Sequence, residues 1–260
     1  MITTNLTGNL GNHMWQYAVC RTVDEKWDFH EGNGEKVWFN RLDTRLYEID
    51  DNTRLIGDGG AVGGIYQCED YILDRKNDIK KWFKINDTHK ILFDDKLKEM
   101  GIVLNDDLCV INFRGGEYRN LKNVILRKEY WRDAITHMCS INPKMEFLIV
   151  SDDPNLAKTY MPFDINAIHV DIGFDFYVVN QAKWLIISNS SFSWWCAWLN
   201  NKANKIIAAK YFLSHNLSNG YWSQGESYTT NFTYLDREGV LTDYDTCKKE
   251  ALEYYKKINK

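Results

Sequence analysis

The second half of this chain alternates short apolar runs with amphipathic stretches, and that alternation constrains the fold more than any other feature. Leu108-Cys109-Val110-Ile111-Asn112-Phe113 reads as a buried strand, and Tyr130 to Met138 as an amphipathic helix. Phe147-Leu148-Ile149-Val150 is a second buried strand, Ile168 to Ile172 a third, and Ile206 to Ala209 a further one. Phe174 to Lys183 reads as a helix, and Lys183 to Ile187 as either a strand or a helix end. Near-continuous apolar runs separated by helices predict a parallel sheet covered on both faces, a Rossmann-like domain from about residue 106 onward.

Three polar clusters in that half directly follow strands. Asn112 and Arg114 form the first, and Ser151-Asp152-Asp153 the second. Pro154 then suits the first turn of a helix. Asn189-Ser190-Ser191-Phe192-Ser193 follows the Lys183–Ile187 run and opens a segment, Trp194 to Leu199, that suits a helix. Taken singly, Ser and Asp at such points are helix caps more often than ligand contacts. Ligands of open α/β sheets, however, bind at the carboxyl ends of the strands, so the three clusters are expected to converge. An Arg there forks onto phosphate oxygens, and a helix N-terminus offers N–H groups to a second phosphate. Asp accepts from a base edge or from ribose hydroxyls. The set describes a pocket for a nucleoside diphosphate.

The first half is less regular. Ile2 to Leu6 reads as a strand, the polar loop Thr7 to Asn12 follows, and Met14 to Cys20 begins a helix. The spacing of Gly8 and Gly11 is not the dinucleotide fingerprint. Residues 57–64 form a glycine-rich loop, and Asp74 to Met100 is a charged helical stretch. At 260 residues the chain is natural for two compact domains, divided near residue 105.

Net charge of −4 argues against a nucleic-acid partner, so an anionic ligand must be held by a few placed cations and backbone N–H groups. The six Cys show neither paired nor zinc-ligand spacing, and no metal site is expected. Neither a signal peptide nor a membrane span is found, so the chain is expected to be cytoplasmic.

Four motifs carry a resemblance. Gly8-Asn9-Leu10-Gly11-Asn12-His13-Met14-Trp15-Gln16-Tyr17-Ala18, Gly64 to Tyr71, Val150 to Asp153 and Ser188 to Trp195 occur in that order. They resemble motifs of the alpha-1,2-fucosyltransferase-like glycosyltransferases of family 11. The resemblance implies an α/β, GT-B-like architecture: two facing Rossmann-like domains in a compact form. Residues 1–105 would lie on the acceptor side and 106–260 on the nucleotide-sugar side.

It implies inverting transfer of L-fucose from GDP-L-fucose to a glycan hydroxyl, of alpha-1,2 type, with no metal and no cofactor. Arg114 would be catalytic. Asn112, Arg114, Ser151, Asp152, Asp153, Asn189, Ser190, Ser191, Phe192 and Ser193 would bind the donor. Asn9, Gly11, Asn12 and Gln16 mark the N-terminal loop, and Glu117, Glu69 and Asp70 are candidate bases. The family's His-x-Arg-Arg-Gly-Asp-Tyr stands here as Asn112-Phe113-Arg114-Gly115-Gly116-Glu117-Tyr118. A nucleotide-contacting His becomes Asn112, and Gly115 removes a second cation. That departure leaves open another nucleotide-sugar donor, or a catalytically weakened sugar-nucleotide or glycan-binding protein.

Overall fold

The computed structural model describes residues 3–6, 8–23, 28–31, 67–217 and 228–258. The glycine-rich loop at 57–64 lies outside the described residues. The chain divides into two compact units, Met1–Lys96 and Leu97–Lys260.

In the first unit, strand β1 (Thr3–Leu6) pairs in parallel with β2 (Asp28–Glu31). Helix α1 (Leu10–Val23) connects them. It starts earlier than the sequence predicts, because the Asn9 carbonyl already accepts from Asn12 and His13 at 2.9 and 3.2 Å. Gly11 and Asn12 are therefore first-turn helix residues rather than loop residues. Tyr17 of α1 packs on Trp82 and Phe83 at the end of α2 (Lys76–Trp82), with ring centroids 6.1 and 5.6 Å apart. The expected helix from Asp74 to Met100 is two helices. Asn86 caps α3 (Asp87–Glu99), its Oδ1 accepting from the His89 N–H at 3.0 Å, and so forces a restart.

The second unit is built on a seven-stranded sheet in the order β5-β4-β3-β6-β7-β8-β9. The strands are β3 (Leu108–Phe113), β4 (Glu146–Ser151), β5 (Asn166–Ile168), β6 (Trp184–Ile187), β7 (Lys205–Ala209), β8 (Thr233–Leu235) and β9 (Leu241–Thr242). All neighbours are parallel except β8 and β9. In chain order the six parallel strands run 3-2-1-4-5-6, the doubly wound order with a topological switch point beside its first strand. Here that strand is β3. Every β3 residue is buried, as a central strand covered on both faces requires.

Cys109, Ile111 and Phe113 join residues of α4 (Lys128–Ile141) and α5 (Pro154–Tyr160) in one core. Phe113 sits 5.1 Å from Trp131 and 5.2 Å from Tyr160, centroid to centroid. Helices α6 (Ile172–Gln181) and α7 (Ser191–Trp198) also pack on the sheet, and α8 (Tyr244–Ile258) packs beside β8.

The third strand ends earlier than expected. Asp171 caps α6, accepting from the Gly173 and Phe174 N–H groups at 2.9 Å each, so the chain turns helical at Ile172. Strands β2, β8 and β9 are absent from the sequence reading, being two to four residues long and mostly polar at their margins. Among the described residues no helix is long and apolar enough to cross a membrane. All six cysteines are free thiols.

The segment just after β7, residues 211–217, is tied down by a buried imidazole. The His215 ring meets Tyr130 edge-on at 5.4 Å, and its carbonyl accepts from Arg237 Nε at 3.0 Å. Arg237 also lies 3.7 Å over the Tyr211 ring. Burial, with Arg237 and Arg127 nearby, pushes His215 down to about 3. A folded-state value below the unfolded one, about 6.5, gives stability that is present above pH 6.5 and lost as pH falls towards 3. Between pH 7 and 5 this loss should be about 2 kcal/mol. Urea unfolding at the two pH values should show it in the wild type and a shallower loss in His215→Gln. Equal pH slopes in both proteins would contradict the account.

Candidate functional site

The carboxyl ends of β3, β4 and β6 form one contiguous polar edge in the second unit. Parallel register aligns Asn112 with Val150 and with Ile187, so the three strands exit level with one another. Arg114 leaves β3 and pairs through Nη1 with Asp152 Oδ2. The other Asp152 oxygen accepts from the Gly115 N–H at 2.7 Å. Asp152 therefore fixes both the guanidinium and the backbone that carries it. Glu117 Oε2 stands 3.9 Å from Arg114 Nη2 and is largely exposed. Tyr118 bridges to the neighbouring exit, donating its hydroxyl to the Asn189 carbonyl at 3.2 Å. Its ring lies 5.7 Å from the Arg114 guanidinium, and burial raises its phenol above the usual value.

The turn after β3 leaves no room for side chains. A Cβ on Gly115 would lie 2.7 Å from Asp153 Cβ, and one on Gly116 would meet Asp152 Oδ2. Gly115 is thus more than a missing cation: any side chain there must displace the start of α5. A second cation does stand at this edge. Arg119 pairs with Asp153 Oδ2, reaching from the single helical turn Glu117–Asn120. The sequence pattern marks neither Tyr118 as a ligand-side residue nor Arg119 at all. Its one available signal was a cation five positions beyond Arg114.

Several expected donor contacts face inward. Asn112 is 5% exposed, and both ends of its amide are engaged. Nδ2 donates to the Val150 carbonyl at 3.0 Å, and Oδ1 accepts from Ser193 Oγ. Ser193 also shares a 2.7 Å bond with Ser188 Oγ. Asn112 is therefore a buried tie between β3, β4 and α7, where the sequence suggested a nucleotide contact. Ser151 is buried, its Oγ accepting from the Asp153 N–H at 3.0 Å. Asp153 caps α5, accepting from the Leu156 N–H at 3.2 Å. Both hold the edge in shape.

Asn189 donates to the Val124 and Phe212 carbonyls at 2.8 and 3.2 Å. Its Oδ1 is buried and finds no partner among the described residues. Ser190 occupies the cap position of α7, but its side chain makes no capping bond. Ser191 and Phe192 are half-buried at the helix start, Phe192 packing edge-on against Phe176 at 5.8 Å.

The remaining candidates lie in the first unit. Asn12 Oδ1 accepts from Gln67 Nε2 at 2.9 Å, joining the N-terminal motif to the segment that carries Glu69 and Asp70. Asn9 is exposed and Gln16 is buried in α1. Glu69 is 2% exposed and 4.0 Å from Lys76 Nζ, whereas Asp70 is exposed. Among the described residues no group of three or more His, Cys, Asp or Glu is placed to hold a metal.

The model of glycosyl transferase family 11 matches residues 62–236, a span that contains the whole carboxyl edge. The chain belongs to this family. It is 25% identical over 191 residues to the O-antigen biosynthesis glycosyltransferase WbnK of Escherichia coli, covering 68% of this chain and 63% of that protein. It is 29% identical over 154 residues to an alpha-1,2-colitosyltransferase of Escherichia coli, covering 53% of this chain and 50% of that one. The chain thus spans between half and two thirds of the length of these relatives. A solved beta Kdo 2,7 transferase, KpsC of Thermosulfurimonas dismutans, aligns over 98% of this chain and 99% of its own at 11% identity, with a TM-score of only 0.29.

The close packing of Gly115 makes a direct prediction. Gly115→Ala should destabilise the second unit by roughly 1–3 kcal/mol, the cost of overpacking against a backbone-anchored neighbour. Urea unfolding measures it. Wild-type stability in Gly115→Ala would show that the turn and the start of α5 are not in the contact described.

Proposed function

We propose that this chain is an inverting, metal-independent glycosyltransferase that transfers L-fucose from GDP-L-fucose to a glycan hydroxyl in alpha-1,2 linkage. The observation that carries the reading is that Arg114 and the start of α7 follow neighbouring, level strands, β3 and β6. These two strands flank the topological switch point, where doubly wound sheets hold their ligands. A guanidinium on one side and a helix N-terminus on the other complement a diphosphate lying between them.

In the proposed reaction the acceptor oxygen attacks the anomeric carbon as the bond to the β-phosphate oxygen breaks. The electron pair leaves on GDP, and the acceptor proton passes to a carboxylate. Negative charge on the diphosphate grows towards the transition state, so a fixed cation there stabilises the transition state more than the ground state. Asp152 holds the Arg114 side chain in place before the donor arrives, and Arg119, paired with Asp153, places a second guanidinium at the same edge. Glu117 is the candidate base that adjoins this edge; Glu69 and Asp70 are candidates on the other unit. The GT-B arrangement belongs to the same proposal, with residues 106–260 taking the nucleotide sugar and 1–105 the acceptor.

A second reading has its own support. One relative is named an alpha-1,2-colitosyltransferase, which favours a donor with another sugar on the same kind of site. Donor choice and the fate of Arg114 are tested together. Turnover of GDP-fucose should persist in chelator and fall by roughly 2–4 kcal/mol of transition-state stabilisation in Arg114→Ala. Arg114→Lys should not restore it, because a point charge lacks the two-pronged fork. Near-normal turnover in Arg114→Ala would remove leaving-group stabilisation from this edge. Binding of the nucleotide without transfer to any acceptor would identify a non-catalytic sugar-nucleotide-binding protein.

A further inference from the structure

Helix α6 carries a buried carboxylate that nothing above uses. Asp175 lies among Phe174, Phe176, Tyr177, Val178 and Val179, all buried. It is not the helix cap, because Asp171 already serves the first-turn N–H groups. Its oxygens face the segment after β5 instead. Oδ2 pairs with His169 Nδ1 at 2.6 Å, and Oδ1 accepts from the Val170 N–H at 3.3 Å. Burial raises the carboxyl to about 6, with the imidazole opposing that rise. A carboxylate held in apolar surroundings needs a compensating partner, and here the main one is an imidazole whose side chain is 42% exposed.

The imidazole stands on the same polar edge. Val150 of β4 is level with Ile168 of β5, so His169 follows β5 where Ser151 follows Val150. Crossing the carboxyl edge from β6 to β5, one meets the start of α7, then Arg114, then Asp152, then His169. The phosphate-binding features are at one end of this row. Strands are spaced by about 4.8 Å, which puts β5 about 10 Å from β3. That is of the order of the reach from diphosphate to base in an extended nucleoside diphosphate.

The chemistry of the ring fits the far end of such a ligand. With the Nδ1 proton donated to Asp175, Nε2 is left as an acceptor. No other bond of this ring is found among the described residues. The two carboxylates that the sequence nominates for the base already serve protein donors: Asp152 takes Arg114 and Gly115, and Asp153 takes Arg119 and Leu156. A guanine edge presents N1–H and N2–H donors.

We infer that His169 is a base contact of the donor site, its Nε2 accepting from the purine edge, and that Asp175 is the positioning residue that fixes its tautomer and direction. This rests on the reading of the carboxyl edge as a nucleoside-diphosphate site.

The test is calorimetric titration of the full chain with GDP, UDP and inorganic pyrophosphate. In His169→Ala, GDP affinity should fall about tenfold, the scale of one hydrogen bond lost to a ligand, with pyrophosphate affinity unchanged. Preference for GDP over UDP should shrink. His169→Gln, which returns an acceptor near the Nε2 position, should recover part of the loss. Asp175→Leu, which removes the acceptor for Nδ1–H, should lower GDP affinity as His169→Ala does and leave pyrophosphate untouched; if that variant does not fold, the two His169 variants decide alone. Equal GDP affinity in wild type and His169→Ala would overturn the inference while leaving the nucleotide site standing. So would a loss of the same size for pyrophosphate, which would mark general damage. A wild-type protein that binds none of the three ligands would overturn the proposed function and this inference together.

Discussion

The site depends on how β3 is held. It is the first strand of its unit, yet it lies inside the sheet, with β4 on one side and β6 on the other. The chain fills one flank through β4 and β5, then crosses to the other flank at β6, so the exits of β3 and β6 stand side by side. The buried Asn112 amide ties these exits to the adjoining strand and helix, through the Val150 carbonyl on β4 and Ser193 at the start of α7. Because that tie is buried and both ends are satisfied, it fixes where Arg114 leaves the sheet relative to where α7 begins.

From that frame the polar edge follows. The Gly115-Gly116 turn presses on Asp152 and Asp153, which allows the carboxylates to take the Arg114 and Arg119 guanidiniums. Tyr118 closes the loop onto Asn189. Paired cations and carboxylates keep the edge close to neutral without ligand, and they hold the guanidiniums at a fixed place.

Much of the second unit was legible in the sequence, because its signals are local. The β3 run Leu108–Phe113 is uniformly apolar apart from Asn112, and Asp153-Pro154 is a cap followed by a first-turn proline, so both elements could be read from their own residues. The strand-end rule then brought Arg114, Asp152 and Asn189 to one edge. What escaped the sequence depends on distant partners. Asn112 looks like a ligand contact until Ser193, eighty-one positions away, is found against it. Gly115 looks like a lost cation until Asp153 is found filling the space. His169 and Asp175 lie on either side of a helix start, where a capping Asp171 is the stronger local signal. In the first unit, β2 lies in a polar stretch with no alternation to mark it, and α1 starts earlier because a backbone carbonyl, invisible to composition, accepts its first bonds.

On the proposed function a nucleoside diphosphate lies across the carboxyl edge of the second unit. A crystal structure of the chain with GDP tests it most directly. The account predicts the diphosphate between Arg114 and the start of α7, at the gap between β3 and β6, with the base directed towards β4 and β5. GDP bound away from that edge, or at it with the base over β7 and β8, would contradict the account.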